Sequence, residues 1–249
     1  MIAEMNAVNI ITLSVCLVVN IQPSLSEVCC TPDQWVADMF LDYGTVFINK
    51  DQAAAPKAAY SYINGTVKTA YDYLNQRTYL KLKGTQVSPL IPGPVPSDTT
   101  IINDYKIGIQ YNIDLDGSCQ KSTIENMTKQ CVPDEAKLVS TGSLASSWNK
   151  VQNYRFTTND DFPASVDATV IQNIPTKACN PVRAVYFVGS ADRGSGTLIN
   201  LDVLNVVPSI LDPSVFSPPP QCKNARFTGK EEKERNTVLQ RFFRRGRII

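Results

Sequence analysis

Six cysteines are the residues of this sequence whose type and number most clearly predict specific chemistry. The chain has seven, and Cys16 lies in an N-terminal segment that we expect to be cleaved. An even number then remains, as a disulfide framework requires, although six cysteines permit fifteen pairings. No C-x-x-C spacing and no histidine occur, so oxidised pairs account for the cysteines better than a zinc site does. The six are Cys29, Cys30, Cys119, Cys131, Cys179 and Cys222.

Two sequons predict N-linked glycans, at Asn64 (Asn64-Gly65-Thr66) and at Asn126 (Asn126-Met127-Thr128). Such triplets also occur by chance, and they are used only in a secretory compartment. Beside paired cysteines and a cleavable leader, they predict Asn64 and Asn126 as glycosylation sites.

Enzymatic chemistry finds little support in the residue types. Without histidine there is no Ser-His-Asp or Cys-His arrangement. The chain also lacks the nucleophile elbow G-x-S-x-G, a phosphate-binding glycine loop and a dinucleotide fingerprint. Asp160 and Asp161 could serve a hydrolase, but adjacent aspartates on a turn are more often solvated. We therefore expect no catalytic residues and no enzyme activity.

One segment resembles half of a calcium-binding loop. Residues 112–117 (NIDLDG) place oxygen ligands at alternate positions and glycine sixth, as an EF-hand does. The twelfth position is Thr123 and not the bidentate Glu that the site needs. The dipeptide Asp116-Gly117 therefore favours a tight hairpin turn. We predict no metal site, and weak calcium binding by surface carboxylates or acidic glycans stays open.

Residues 1–26 have the pattern of a cleaved signal peptide. The mostly apolar run 7–21 is followed by Pro23 and the small residues Ser24 and Ser26. A membrane anchor is less well supported, because the run is shorter than the ~20 apolar residues of a spanning helix. We expect a secreted protein with no transmembrane segment after cleavage.

The bulk composition indicates a globular protein. Of 249 residues 43% are hydrophobic and 19% charged, and the net charge is +1. This balance gives no reason to expect nucleic acid as a partner. The length suits one large β domain, which we place at residues 27–222.

Short alternating runs predict the elements that must hold these residues in place. From Tyr105 to Leu115 apolar and polar residues alternate, as in a strand with one buried face. Similar runs occur at 67–73, 77–83, 151–157, 168–174, 182–188 and 197–203. Short runs separated by Pro, Gly and Asn predict an all-β fold, with two antiparallel sheets in a sandwich or open barrel.

Two stretches differ from this pattern. Ser88–Ser97 contains four prolines and a glycine and predicts a loop. Residues 223–249 carry nine basic and three acidic residues, and 231–243 could form a short helix. A solvated tail is the simplest interpretation of this segment. Binding to an anionic surface and cleavage at Arg244-Arg245 are the alternatives.

Five segments together resemble the signature blocks of ependymin-related proteins. Each is modest alone, but their order along the chain makes an accidental match improbable. The segments are 29–35 (CCTPDQW), 71–77 (YDYLNQR), 128–131 (TKQC), 179–182 (CNPV) and 212–222 (DPSVFSPPPQC).

The resemblance implies two antiparallel sheets around a deep apolar cavity, as in bacterial lipoprotein carriers. It implies a secreted or lysosomal glycoprotein, in many cases a homodimer, that binds hydrophobic ligands and is linked to calcium and extracellular matrix. It further implies the disulfides Cys29–Cys179 and Cys131–Cys222, which leaves Cys30 with Cys119. The tail beyond Cys222 has no clear counterpart in the family.

On this basis we predict a secreted glycoprotein that binds a lipid or fatty acid. The alternative is a calcium-associated matrix or cell-adhesion glycoprotein without lipid cargo, in which the sandwich is a scaffold. The apolar residues that we predict to line the cavity, named in the next sentence, could equally fill a packed core. The predicted cavity lining is Tyr105, Ile107, Ile109, Tyr111, Ile113, Ile199, Leu201 and Val203.

Overall fold

The computed structural model describes residues 29–48, 58–89, 92–143, 149–158, 163–173, 176–190 and 195–227. These residues form twelve strands and two short 3₁₀ turns, at Pro213–Phe216 and Pro220–Asn224. The predicted signal peptide, the Asp160-Asp161 pair and most of the basic tail lie outside the described residues. The strands are β1 Gln34–Ile48, β2 Ala58–Asp72, β3 Arg77–Val87, β4 Val95–Asp104, β5 Ile109–Ile113, β6 Cys119–Thr123, β7 Lys137–Ser143, β8 Asn149–Thr158, β9 Ala164–Asn173, β10 Cys179–Ser190, β11 Ser195–Val207 and β12 Arg226–Phe227.

All twelve strands belong to one continuous sheet. Their order is β12-β6-β5-β4-β3-β2-β1-β11-β10-β9-β8-β7. Every neighbouring pair is antiparallel except β12 and β6, which run parallel. The predicted all-β, antiparallel class is confirmed. The strands nevertheless form a single hydrogen-bonded sheet, where two separate sheets were predicted.

The central strand β1 shows why the sheet has a buried and a solvated face. Side chains alternate across a strand, so every second residue lies on the same face. Trp35, Met39 and Leu41 are almost fully buried, whereas Phe40 and Val46 between and beyond them are exposed. We call the face that carries Trp35 the inner face and the opposite one the outer face.

The inner face carries one hydrophobic core across eight strands. In the register of the sheet, Leu41 lies opposite Leu201, Leu201 opposite Ala184, and Ala184 opposite Ala168. All four are fully buried. Strongly twisted open sheets rarely exceed ~10 strands without curling, so we expect this twelve-stranded sheet to curl over its inner face.

The predicted strand Tyr105–Leu115 is wrong in its first half. Strand β4 ends at Asp104, residues 105–108 form a turn, and β5 begins at Ile109. The turn is held by Asp104, whose carboxylate accepts hydrogen bonds from the backbone N–H groups of Lys106 and Ile107. The chain reverses direction at residues 105–108 without interrupting the alternation of apolar and polar residues. The alternation therefore could not reveal the turn.

Two further boundaries differ from prediction. The proline-rich segment Ser88–Ser97 is not a loop throughout, because β4 already begins at Val95. The domain does not end at Cys222, since Arg226 and Phe227 pair with β6 as its edge strand. Nowhere in the described part of the chain is there a helix with the length and apolar character needed to cross a bilayer.

The backbones of β2 and β3 approach each other unusually closely at Gly65 and Gly84. These residues lie opposite each other in the register. A Cβ atom on Gly84 would lie 2.5 Å from the carbonyl oxygen of Asn64, and one on Gly65 would lie 2.5 Å from that of Lys83. Only glycine fits here without a backbone shift.

Candidate functional site

Three disulfides crosslink the sheet and its loops. The pair Cys29–Cys179 is confirmed, with 5.6 Å between its Cα atoms. The other two predicted pairs are wrong, because Cys30 bonds to Cys131 and Cys119 bonds to Cys222. Cys30 and Cys131 face each other in an isolated β-bridge, and Cys119 begins β6, beside the segment that leads into β12. These positions could not be read from sequence spacing.

The disulfides Cys29–Cys179 and Cys30–Cys131 define what we call the disulfide end of the sheet, where β1 begins. Hydrogen bonds extend the crosslinking there. The N–H of Cys179 donates to the carbonyl of Cys30 at 2.9 Å, and the N–H of Val132 donates to that of Cys29 at 2.8 Å. The start of β1, the start of β10 and the segment around Cys131 are therefore held together.

The carboxylate of Asp72 organises the turn between β2 and β3. It accepts hydrogen bonds from the side chains of Gln34 at 2.8 Å, Asn75 at 2.9 Å and Arg77 at 2.8 Å, and from the backbone of Asn75. The side chain is fully buried. Burial raises the pKa of Asp72, but these hydrogen bonds outweigh it and the pKa is lowered. Asp72 is therefore a buried anion paired with Arg77.

The same turn contacts the C-terminal signature block. The guanidinium of Arg77 lies 4.3 Å from the centre of the Phe216 ring, a cation–π contact. Gln76 adopts a left-handed conformation with φ of 56°, and its side chain donates to the carbonyl of Tyr73 at 2.8 Å. The family-like blocks 71–77 and 212–222 thus meet in space and serve structure here.

Aromatic packing joins the first block to the second. The rings of Trp35 and Tyr71 lie 5.9 Å apart between centroids, and the two residues face each other across β1 and β2. The Tyr71 hydroxyl accepts a hydrogen bond from the backbone N–H of Gln130, in the segment before Cys131. Burial raises the pKa of Tyr71 well above its ordinary value, so it stays a neutral phenol.

The predicted cavity-lining residues do not come together as one set. Ile199, Leu201 and Val203 on β11 are buried members of the inner-face core, as their alternation predicts. Ile109, Tyr111 and Ile113 on β5 are only partly buried and lie five strands away in the sheet. Ile107 is 58% exposed in the turn, so its assignment to a cavity is wrong.

Tyr105 is buried, but it joins a polar row that sequence reasoning missed. Thr78, Asn103, Gln110 and Ser122 lie opposite one another across β3, β4, β5 and β6. Asn103 donates to Thr78 at 2.9 Å and to the Tyr105 hydroxyl at 3.3 Å, and it accepts from Gln110 at 2.8 Å. This arm of the sheet therefore buries a row of hydrogen-bonded polar side chains beside aliphatic ones such as Leu80 and Ile101.

A hydroxyl cluster lies on the inner face toward the other end of β1, which we call the distal end. Thr45 is within 3.0 Å of the Thr197 hydroxyl and donates to Tyr43 at 2.9 Å. Ile63 lies opposite Tyr43 and Val188 opposite Thr197. Both are only partly buried against the core, as are Tyr73 and Val206 toward the disulfide end.

Both predicted glycosylation sites are sterically accessible. Asn64 is exposed on the outer face of β2, and Asn126 is exposed in the loop after β6. The Asn64 amide nitrogen donates to the Asp42 carboxylate at 2.7 Å. Accessibility permits glycosylation at each site, which stays a prediction.

The segment with half of a calcium loop forms a hairpin turn, as predicted. Strands β5 and β6 pair around it, and the N–H of Gly117, with φ of 80°, donates to the carbonyl of Asp114 at 2.9 Å. Asp116 accepts a hydrogen bond from the backbone of Ser118. No cluster of three or more metal-ligating side chains occurs among the residues whose positions are described.

Large apolar side chains on the outer face form a feature that the sequence analysis missed. Two adjacent cross-strand rows near the distal end carry them, spread over strands β10, β11, β1, β2 and β3. Between 39% and 58% of each side chain is exposed. We call this set the outer patch: Val46, Tyr60, Tyr62, Val87, Phe187 and Leu198.

Fold and site together define an all-β domain crosslinked by disulfides. The family model for Ependymin matches residues 95–222, slightly more than half of the chain. The chain therefore belongs to the ependymin family, as the signature blocks predicted. Membership indicates an extracellular protein, and the three disulfides agree with an oxidising compartment.

Comparison with individual proteins adds little. No curated protein sequence matches the chain. An uncharacterised conserved protein from Thermus thermophilus aligns with 79% of this chain and 90% of its own, at 11% identity and a TM-score of 0.44. A DUF1329 family protein from Desulfovibrio piger aligns with 75% and 90%, at 10% identity and a TM-score of 0.21. Both scores are too low to support an argument.

Proposed function

We propose that this chain is a secreted binding protein of the ependymin family whose ligand is a lipid or fatty acid, held against the inner face of the curved sheet. The observation that carries the proposal is the continuous apolar surface of that face, which extends from β4 through β1 to β8. Family membership supports the extracellular setting.

The ligand enters at the distal end. At the disulfide end two disulfides, the Trp35–Tyr71 pair and the Asp72 hydrogen bonds fix the strands to one another. At the distal end Ile63 and Val188 are partly accessible. Separating the inner-face side chains there breaks apolar contacts and the hydroxyl hydrogen bonds of Thr45, and an acyl chain restores the apolar contacts.

Hydrophobic transfer is sufficient to drive such binding. Each methylene removed from water contributes about 0.8 kcal/mol, so an acyl chain of ordinary length offsets the separation of several core contacts. The hydroxyls of Tyr43, Thr45 and Thr197 supply the polar groups that orient a ligand in an otherwise apolar site.

Titration with a fluorescent fatty acid tests the site. Replacing both Ile63 and Val188 by Gln should weaken fatty-acid binding at least ~10-fold, because the two substitutions make the apolar entrance polar. The matched control is Leu198→Gln on the outer face of β11, which should leave affinity unchanged. Equal loss in both variants would place the ligand elsewhere, and no binding by wild-type protein would favour the matrix-scaffold function.

Two further proposals accompany this one. We propose that the protein is not an enzyme, because its sequence has no histidine and no catalytic motif, and that it forms a homodimer, as the family resemblance implies. Sedimentation equilibrium of the secreted protein tests for the homodimer, and a protein that is monomeric at all concentrations would exclude the homodimer.

A further inference from the structure

The outer patch places exposed aromatic and aliphatic side chains on the face of the sheet that should be solvated. In one row Phe187, Leu198, Gly44, Tyr62 and Val87 are successive neighbours across five strands. The next row adds Val46 and Tyr60. A contiguous exposed apolar surface in a secreted protein indicates that something covers it.

Glycines make the centre of the patch shallow. A Cβ atom on Gly196 would meet nothing within 4 Å, and one on Gly44 would only just reach the Tyr62 ring, at 4.0 Å. Gly44 lies between Tyr62 and Leu198, and Gly196 is the neighbour of Val46. The patch is therefore a groove bordered by Tyr60 and Tyr62 on one side and by Phe187 and Leu198 on the other.

The first sequon lies at the edge of this groove. Asn64 follows Tyr62 on the same face of β2, and its amide nitrogen lies 3.4 Å from the Tyr62 hydroxyl and 2.7 Å from the Asp42 carboxylate. Tyr62 also donates to Asp42 at 2.8 Å. That hydrogen bond is the largest cause of the lowered pKa of Asp42, so Asp42 is an anion at neutral pH.

We propose that the outer patch is the resting place of an N-linked glycan on Asn64, whose first N-acetylglucosamine packs against the rings of Tyr62 and Tyr60. The covering group is thus a sugar attached to this chain itself, and not a second copy of the chain or a membrane.

Glycosylation of Asn64 is compatible with its hydrogen bond to Asp42. Glycosylation joins Nδ2 to the anomeric carbon of the sugar, the bond from that carbon to a lipid-linked diphosphate donor breaks, and Nδ2 loses one proton. One N–H remains, and Asp42 accepts it at the distance already present. The Tyr62 hydroxyl lies 3.4 Å from the same nitrogen, so the attached sugar begins beside Tyr62 at the edge of the patch.

The chemistry of the two surfaces matches. One face of the pyranose ring presents C–H groups, and an aromatic face carries the negative lobe of its quadrupole, so the two attract. Tyr62 and Leu198 lie two strands apart, roughly 10 Å, a span that the first two sugars of a glycan cover. The outward hydroxyls of the sugar then replace the apolar surface with a solvated one.

The Thr66→Ala variant tests the proposal because it removes the sequon and leaves Asn64, Asp42 and Tyr62 unchanged. Thr128→Ala is the matched control, since it removes the sequon at Asn126 in an exposed loop. For each secreted protein we would measure intact mass, bis-ANS fluorescence and molar mass by light scattering.

We expect each variant to lose the mass of one glycan. Bis-ANS fluorescence should rise about 3-fold in Thr66→Ala and stay at the wild-type value in Thr128→Ala. Adding Tyr60→Ser and Tyr62→Ser to Thr66→Ala should restore the low signal. If Thr66→Ala is not secreted, an amidase applied to folded Thr128→Ala protein removes the glycan on Asn64 alone. The rise in fluorescence should then be the same.

Three results would overturn the proposal. The first is the absence of a glycan on Asn64 in secreted protein. The second is equal bis-ANS binding by Thr66→Ala and Thr128→Ala. The third is a fully glycosylated dimer that Tyr62→Ser dissociates, which would assign the patch to a second copy of the chain. Thr66→Ala and Thr128→Ala share the same inner face, so bis-ANS bound there contributes equally to both variants.

Discussion

The two ends of the long central strands are built from different interactions. At the disulfide end, the start of β1 is tied by covalent bonds, by the Trp35–Tyr71 pair and by the buried anion Asp72. At the distal end the same strand is held by the Tyr43, Thr45 and Thr197 hydroxyls and by partly buried aliphatic contacts. The family-like sequence blocks concentrate at the first end, where they hold the scaffold together.

The largest expected difference between the ends comes from core aromatic residues. Trp35→Ala removes a fully buried indole and should lower the free energy of unfolding by about 3–5 kcal/mol. Val188→Ala at the distal end, where the residue is partly buried, should cost about 1 kcal/mol. Urea denaturation measures both, with an unchanged m value. Similar losses in the two variants would remove the distinction between the ends.

Removing one disulfide should have the next largest effect. Replacing Cys30 and Cys131 together by Ser should cost about 2–4 kcal/mol, because the bond closes a loop with a sequence separation of 101 residues. Thermal unfolding of the variant measures the loss. Peptide mapping of unreduced wild-type protein should recover Cys30 linked to Cys131 and Cys119 linked to Cys222. Recovery of Cys131 with Cys222 would contradict the structure.

The buried carboxylate at the disulfide end should make stability sensitive to acid. Asp72→Ala leaves Gln34, Asn75 and Arg77 without their acceptor and should cost about 3 kcal/mol. The control is Asp167→Ala, which breaks a solvent-exposed pair with Arg155 and should cost less than about 1 kcal/mol.

The sign of the pH dependence follows from the lowered pKa of Asp72. The stabilising contribution is complete above the unfolded-state value of about 3.9 and is lost as the pH falls through the lower folded-state pKa. Wild-type protein should therefore lose more stability below about pH 4 than Asp72→Asn does. If the free energies of unfolding of the two proteins depend on pH in the same way, Asp72 is not responsible for the acid sensitivity.

The smallest expected effect concerns the close approach of strands β2 and β3 at Gly65 and Gly84, midway between the two ends. Gly84→Ala places a Cβ atom against backbone and should cost about 1–3 kcal/mol through a forced strand shift. Gly196→Ala, which has open space around it, should be neutral or stabilising by up to about 1 kcal/mol. Thermal unfolding of the two variants side by side checks this contrast. Equal behaviour would indicate that β2 and β3 can move apart without cost.

Residue patterns predicted the elements of this fold better than their assembly. Alternation located β2, β3, β8, β9, β10 and β11, and the Asp116-Gly117 turn was found from its turn chemistry. The strand β1 was missed, because the apolar residues Val36 and Phe40 interrupt its alternation of apolar and polar residues. A single curved sheet could not be distinguished from two sheets, because each strand has one buried face in both.

The site was less predictable because it depends on cross-strand neighbours. The reversal at residues 105–108 moved Ile107 into solvent, and two disulfide pairings changed with the relative positions of β6 and the segment before Cys131. The outer patch combines residues from five strands, so no local window of sequence contains it. The convergence of Gln34, Asn75 and Arg77 on Asp72 likewise requires the register of β1 with β2.

Native mass spectrometry of the secreted protein, followed by organic extraction and lipid analysis, tests the central claim most directly. We expect a stoichiometric lipid that adds to the intact mass, survives gentle purification and is displaced by an added fatty acid. Protein that is empty when isolated, and that stays empty when fatty acids or phospholipids are offered, would contradict a carrier role and support the matrix-scaffold function.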